Sequence, residues 1–159
     1  MCDVNLITLE DFGGNFDDFV NACYNSYSAL WQNSPIFNGK PIVRDTTPSD
    51  RHFEKTFWGI VEGHDNCKIY DDLIRYKRIP ILNNVLCQDC FRPNTTESDI
   101  KWFVFNRKIR LFSKQNMYEI ILKEMRTEVF LVTAFPIDNK RLNTDEKLWK
   151  TYWKSKNGS

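Results

Sequence analysis

The chain has 159 residues, 42% hydrophobic and 14% aromatic, with a formal net charge of +1. That length and apolar content predict one folded domain with its own core and argue against disorder. No apolar run approaches the roughly 18 residues of a membrane span. The N-terminal MCDVNLITLEDFGG lacks the basic and apolar regions of a signal peptide, so the expectation is a cytoplasmic protein with reduced cysteines and no membrane partner.

The small net charge hides a division. Residues 1–39 hold five acidic residues (Asp3, Glu10, Asp11, Asp17, Asp18) and no Lys or Arg, so all 22 basic residues face only 16 acidic ones in the rest. The first strong element is a helix over 15–32. Gly13-Gly14 precede it, Asn15 can cap it, and Asp17 and Asp18 suit its first turn. Phe16, Phe19, Val20, Cys23, Tyr27, Leu30 and Trp31 give it a broad apolar face, and Ser34-Pro35 ends it. This acidic segment reads as an amphipathic helix completing the core. The alternatives are a cover over the basic face or a dock for an immunity partner.

Residues 39–48 (GKPIVRDTTP) read as an extended arm with at most a short strand. A helix over 51–63, begun by Ser49 or Asp50, follows. Helical spacing would set His52, Lys55, Thr56 and Gly59 on one face beside an apolar stripe of Phe53, Phe57, Ile60 and Val61. A short helix near 70–77 and a turn at Ile79-Pro80 come next.

The second half is rich in β-branched and aromatic residues. Segments 102–106, 108–112, 117–124 and 128–137 read as strands, and the short gaps favour antiparallel hairpins. A last helix near 144–154 would dock through Leu148, Trp149 and Trp153. The predicted class is α+β, with N-terminal helices on one face of a roughly four-stranded antiparallel sheet and a C-terminal helix. The expected layout is an N-terminal segment 1–48, a core 49–137 and a C-terminal helix and tail 138–159.

Two basic clusters stand out. Residues 101–114 carry Lys101, Arg107, Lys108, Arg110 and Lys114 without a carboxylate, interleaved with Trp102, Phe103, Phe105 and Phe112; Arg75, Lys77 and Arg78 form the second. Cations with aromatic rings between them suit a polyanion whose bases can stack. The bland alternative is a solvated strand face over core aromatics. The cysteines offer a separate signal. His64-x2-Cys67 and Cys87-x2-Cys90 have the spacing of a Cys3His structural zinc site, with free cysteines as the alternative.

His52-Phe-Glu-Lys-Thr-Phe-Trp58, Arg75-Tyr-Lys-Arg78-Ile-Pro, Ile100-Lys-Trp102 and Leu131-Val-Thr-Ala-Phe-Pro136 occur in that order. Their order and spacing resemble the phage-associated branch of the Barnase–EndoU–colicin–RelE-like (BECR) ribonucleases, over roughly residues 51–137. The resemblance implies a small α+β nuclease whose open sheet face holds RNA. It implies a metal-independent endoribonuclease toxin of a prophage, toxin–antitoxin or anti-phage defence system, acting on cellular RNA such as tRNA.

Such chemistry uses the 2′-hydroxyl of the RNA as nucleophile. The enzyme takes its proton, protonates the leaving 5′-oxygen and stabilises charge on the phosphorus. Histidine suits either proton transfer, and Arg and Lys suit the charge. Carried over, His52 would be general acid or base and Lys55 would stabilise the phosphorane or share proton transfer. Arg78 would grip the phosphate and Thr133 would orient it. Lys101, Arg107, Arg110 and Arg75 would bind the RNA backbone, and Trp102 would stack on a base. Gly59 stands where a second histidine is common in the family, so the second proton-transfer group is open, with a lysine as one candidate. A non-catalytic RNA- or partner-binding module is the competing reading, and a zinc-dependent regulatory domain a third.

Overall fold

Asn15 opens the first long helix as its sequence predicts: its side chain accepts from the Asp18 N–H at 3.1 Å. A computed structural model of the chain describes residues 5–62, 73–86 and 99–157. Helix α1 runs Phe16–Gln32 and buries Phe19, Val20, Cys23, Tyr27 and Leu30. Strands β1 (Ile36–Phe37) and β2 (Lys40–Val43) follow as an antiparallel hairpin. Its two-residue turn is Asn38-Gly39, at φ 50° and 79°, the left-handed pair that a tight hairpin needs. The region expected to be an extended arm is thus half of a hairpin.

Helix α2 covers only Lys55–Val61. Ahead of it, Asp50–His52 form a separate 3-10 turn. Next come α3 (Ile74–Lys77) and α4 (Ile79–Leu86). The turn expected at Ile79-Pro80 is instead the start of α4, because a proline in the first helical turn forfeits no internal bond.

Strands β3 (Ile100–Phe105), β4 (Lys108–Ser113), β5 (Tyr118–Glu124) and β6 (Val129–Pro136) form the predicted antiparallel meander. The sheet does not stop at four strands. Its order is β1-β2-β6-β5-β4-β3, and β2 pairs with β6 in parallel through Ile42–Val129 and Val43–Phe130, so the six-stranded sheet is mixed. Helix α5 (Asn139–Asn157) completes the described elements.

The helices do not share one face of the sheet. Alternation along the strands separates two apolar clusters. Leu111, Ile120, Leu122, Leu131 and Ala134 pack with α1, α2 and α4. Phe103, Phe112, Ile121 and Phe135 point the other way and meet Leu142, Leu148, Trp149 and Tyr152 of α5. The meander is apolar on both sides, so an open second face would have left those aromatic rings in water. The N-terminal helices share one face as expected, and the expectation of an exposed RNA-holding face opposite them is corrected, because α5 packs there. No helix among the described residues is long and apolar enough to cross a membrane.

Candidate functional site

The residues singled out by sequence divide into three groups by position. The first lies around the start of α2. Arg51 and His52 both adopt left-handed backbone, at φ 56° and 58°, and Phe53 returns to extended geometry at φ −79°, ψ 151°. The Phe53 ring stacks on Tyr24, centroids 3.9 Å apart and planes 6° from parallel. The Ser49 N–H donates to the Phe53 carbonyl at 2.8 Å, and the Trp58 indole donates to the Asp50 carbonyl at 3.1 Å. Burying Phe53 against α1 therefore breaks the continuous helix that its spacing predicts. His52 is exposed outside α2 and does not share a helical face with Lys55, Thr56 and Gly59.

Thr56 is buried, and its hydroxyl accepts from the Asp45 N–H at 2.8 Å, so it fastens α2 to the preceding segment. Lys55 is exposed at the first position of α2. The nearby Asp45 carboxyl is held below its usual range, first by hydrogen bonds from Thr47 and then by the Lys55 charge. Glu54 is fixed from two sides: it accepts from the Tyr27 hydroxyl at 2.7 Å and takes two bonds from the Arg44 guanidinium at 3.2 and 3.3 Å. Burial, then the bond to Glu54, raises the Tyr27 phenol above its usual range.

The second group lies where α2 meets β6. The β5–β6 register slips by one residue, since Ile121 faces Thr133 while Leu122 faces Leu131; Val132 is the extra residue. A bulge of this kind re-aims the side chain beside it. Here the Thr133 hydroxyl donates to the Gly59 carbonyl at 3.0 Å. Arg75, 8% exposed, runs under this seam. Its guanidinium donates to the carbonyls of Ile60 (2.6 Å), Gly59 (3.4 Å) and Ala134 (3.3 Å), and reaches the Thr133 hydroxyl at 3.5 Å. Gly59 and Ile60 are in the last turn of α2, where orphan carbonyls and the negative dipole end favour a cation.

Arg75 is thus the arginine that meets Thr133. Arg78, the sequence candidate for the phosphate grip, ends α3 and donates instead to the Asn116 carbonyl at 3.5 Å, in the β4–β5 turn. Among the described residues, no hydrogen bond, ion pair or ring contact joins His52 to Arg78 or Thr133.

The third group is the basic stretch of β3 and β4, and α5 engages Lys101, Trp102 and Arg110 of it. The Lys101 ammonium sits 4.5 Å from the ring centroid of Trp149. Trp102 is half-buried among Phe37, Tyr152 and Trp153, and its carbonyl accepts from the Trp153 indole at 2.7 Å. Arg110 pairs with Asp145 at 3.4 Å and lies over the Phe105 ring at 4.4 Å. Arg107, in the Asn106-Arg107 turn between β3 and β4, is exposed, as are Lys108 and Lys114. The base-stacking platform expected of Trp102 is occupied by the protein's own rings.

Beside this contact lies a buried ionic cluster that the sequence reading missed. Glu119 and Asp145 are both fully buried; Arg141 bonds Glu119 at 2.6 and 3.2 Å and approaches Asp145 at 3.5 Å. Burial, with the Glu119 carboxylate beside it, raises the Asp145 carboxyl to about 8 against the opposing pull of Arg141 and Arg110. Asp145 Oδ2 is buried with no hydrogen-bond partner among the described residues. One signal was available: Glu119 and Asp145 are carboxylates at inward positions of a strand and a helix.

The four zinc candidates, His64, Cys67, Cys87 and Cys90, lie outside the described residues. Among those described, no group of three or more His, Cys, Asp or Glu is placed to hold a metal. Cys23 is buried; its thiol donates to the Tyr76 carbonyl at 3.4 Å, and burial pushes it up to about 12, far from a reactive thiolate. Set against known protein families, curated proteins and solved structures, the chain matches none.

Proposed function

We propose that this chain is a metal-independent endoribonuclease toxin that cleaves cellular RNA, tRNA included, by attack of the 2′-hydroxyl. The single observation that supports it most is the seam between α2 and β6. A bulge turns the Thr133 hydroxyl onto Gly59, an arginine lies beneath, and the segment bearing Lys55 and His52 leads into the same short helix. In this reading His52 transfers a proton at the 2′-hydroxyl or the 5′-oxygen, and Lys55 stabilises the phosphorane. Thr133 orients a phosphate oxygen by turning its hydroxyl from the Gly59 carbonyl, Arg78 grips the phosphate, and Arg75 holds the seam from beneath. The products carry 2′,3′-cyclic phosphate ends. The setting is cytoplasmic, in a prophage, toxin–antitoxin or defence system, with an antitoxin or immunity protein as partner. Any zinc held by His64, Cys67, Cys87 and Cys90 would be structural, since four protein ligands leave no position for water.

The second reading is a non-catalytic RNA- or partner-binding module. The left-handed backbone at His52 favours it, because it removes the histidine from the helical face that carries Lys55. Brief induction of wild type and His52→Ala separates the two. The enzyme reading expects growth arrest and new RNA 5′ ends with wild type alone. Equal behaviour of the two proteins removes His52 from catalysis.

A further inference from the structure

Lys101 and Arg110 of the sheet are engaged by α5, and α5 carries cations of its own on the opposite side. Its inner face, Leu142, Asp145, Leu148, Trp149 and Tyr152, packs on the sheet. Lys140, Lys147, Lys150 and Lys154 are all exposed, and none has an ion pair or ring contact among the described residues. At 3.6 residues per turn these four fall within an arc of about 80°, over about 21 Å of helix axis. Asn143 lies within that arc, Thr144 and Thr151 flank it, and no carboxylate falls inside it. The Thr144 and Thr151 hydroxyls fold back onto the helix, to the Lys140 and Lys147 carbonyls at 3.1 and 3.0 Å. The nearest acid on the helix, Glu146, is half-buried at the edge of the stripe.

A row of unneutralised ammonium groups on a rigid helix matches a line of phosphates. Because the apolar face of α5 is already buried in the protein, the helix has nothing to insert into a bilayer, which favours a nucleic acid over a lipid surface. We propose that the outer face of α5 is the docking track for RNA, in place of the covered sheet. The choice of RNA rests on the ribonuclease reading; the polyanion track rests on the stripe itself.

The test uses the full chain and a 2′-O-methyl RNA hairpin, which lacks the nucleophile and so reports binding without cleavage. One variant carries Lys140→Gln, Lys147→Gln, Lys150→Gln and Lys154→Gln. A control loses charge elsewhere on the surface, outside both basic clusters, through Lys40→Gln, Lys123→Gln and Arg126→Gln. Fluorescence anisotropy is read across a salt series. The α5 variant is expected to lose more than tenfold in affinity, and its log–log salt slope to shrink by about 3, at ~0.7 per lost phosphate contact. The control should shift less than threefold. Equal losses in the two variants overturn the proposal, as does wild type that binds phosphatidylserine vesicles but not the hairpin. Cleavage of unmodified RNA is scored separately: binding without cleavage leaves the docking face standing and removes the enzyme.

Discussion

The Thr133 hydroxyl donates to the Gly59 carbonyl at 3.0 Å, tying the last turn of α2 to the residue that follows the bulge in β6. The bond has both a structural and a chemical reading, and they separate by substitution. Thr133→Val keeps the shape and loses the donor. It should cost about 1 kcal/mol of stability, whereas Thr133→Ser should stay within about 0.5 kcal/mol of wild type. If the hydroxyl also orients phosphate, Thr133→Val lowers RNA cleavage by about a hundredfold. Urea unfolding and cleavage rates on the same protein give both numbers, and an unchanged rate takes Thr133 out of the site.

His52 is exposed and its backbone is left-handed, at φ 58°. Glycine adopts that conformation without a Cβ penalty, so His52→Gly should unfold within about 1 kcal/mol of wild type. Loss of a proton-transfer group should still cut cleavage by about a hundredfold or more. A stable, inactive variant assigns the imidazole a chemical role; a stable, active one refutes it.

Arg107 occupies the second position of the two-residue turn between β3 and β4, at φ 64°, after Asn106 at φ 53°. This geometry favours Asn-Gly. Arg107→Gly should raise stability by about 0.5–1 kcal/mol in thermal or urea melts. If the exposed Arg107 also contacts a phosphate, its loss shrinks the salt slope of RNA binding by about 1.

Asp145 sets a pH dependence. Its folded carboxyl is raised to about 8 by burial and by Glu119, whereas an unfolded Asp titrates near ~3.9. Between those values the native state holds a proton that the unfolded chain has released. Stability from this group is therefore complete below about pH 4 and is lost as pH rises through about 8. Asp145→Asn keeps the shape and cannot ionise, so its urea midpoint should fall less than that of wild type between pH 5 and pH 8.5. Parallel pH profiles would show that the carboxyl is already ionised across this range.

If His64, Cys67, Cys87 and Cys90 form a structural site rather than free thiols, protein purified without an affinity-tag nickel step carries about one zinc per chain. Elemental analysis below about a tenth of an equivalent would leave these cysteines as free thiols.

Helix α1 was legible because its signals are local: a capping Asn15, acids in the first turn and a continuous apolar face. The four meander strands were legible from β-branched and aromatic runs, with ends off by only one or two residues. The β1–β2 hairpin was missed although its Asn38-Gly39 turn is a strong local signal. The break before α2 was not legible. Periodicity places His52 on a helix, but Phe53 leaves that helix to stack on Tyr24, whose place beside it exists only after α1 has packed. The exchange of Arg78 for Arg75 at Thr133 has the same origin. Both lie in one basic cluster, and only the docking of α3 under the α2–β6 seam chooses between them.

Sequence alone determined the α+β class, the main helix and the meander, because each follows from neighbours a few residues apart through capping, turn chemistry and the period of apolar side chains. Tertiary structure decided that the sheet has six strands, that α5 closes its second face, and which cations remain free. Those outcomes depend on partners distant in the chain, Val129 beside Ile42 and Asp145 beside Arg110, and no local pattern encodes which distant surface an apolar face or a charge will meet.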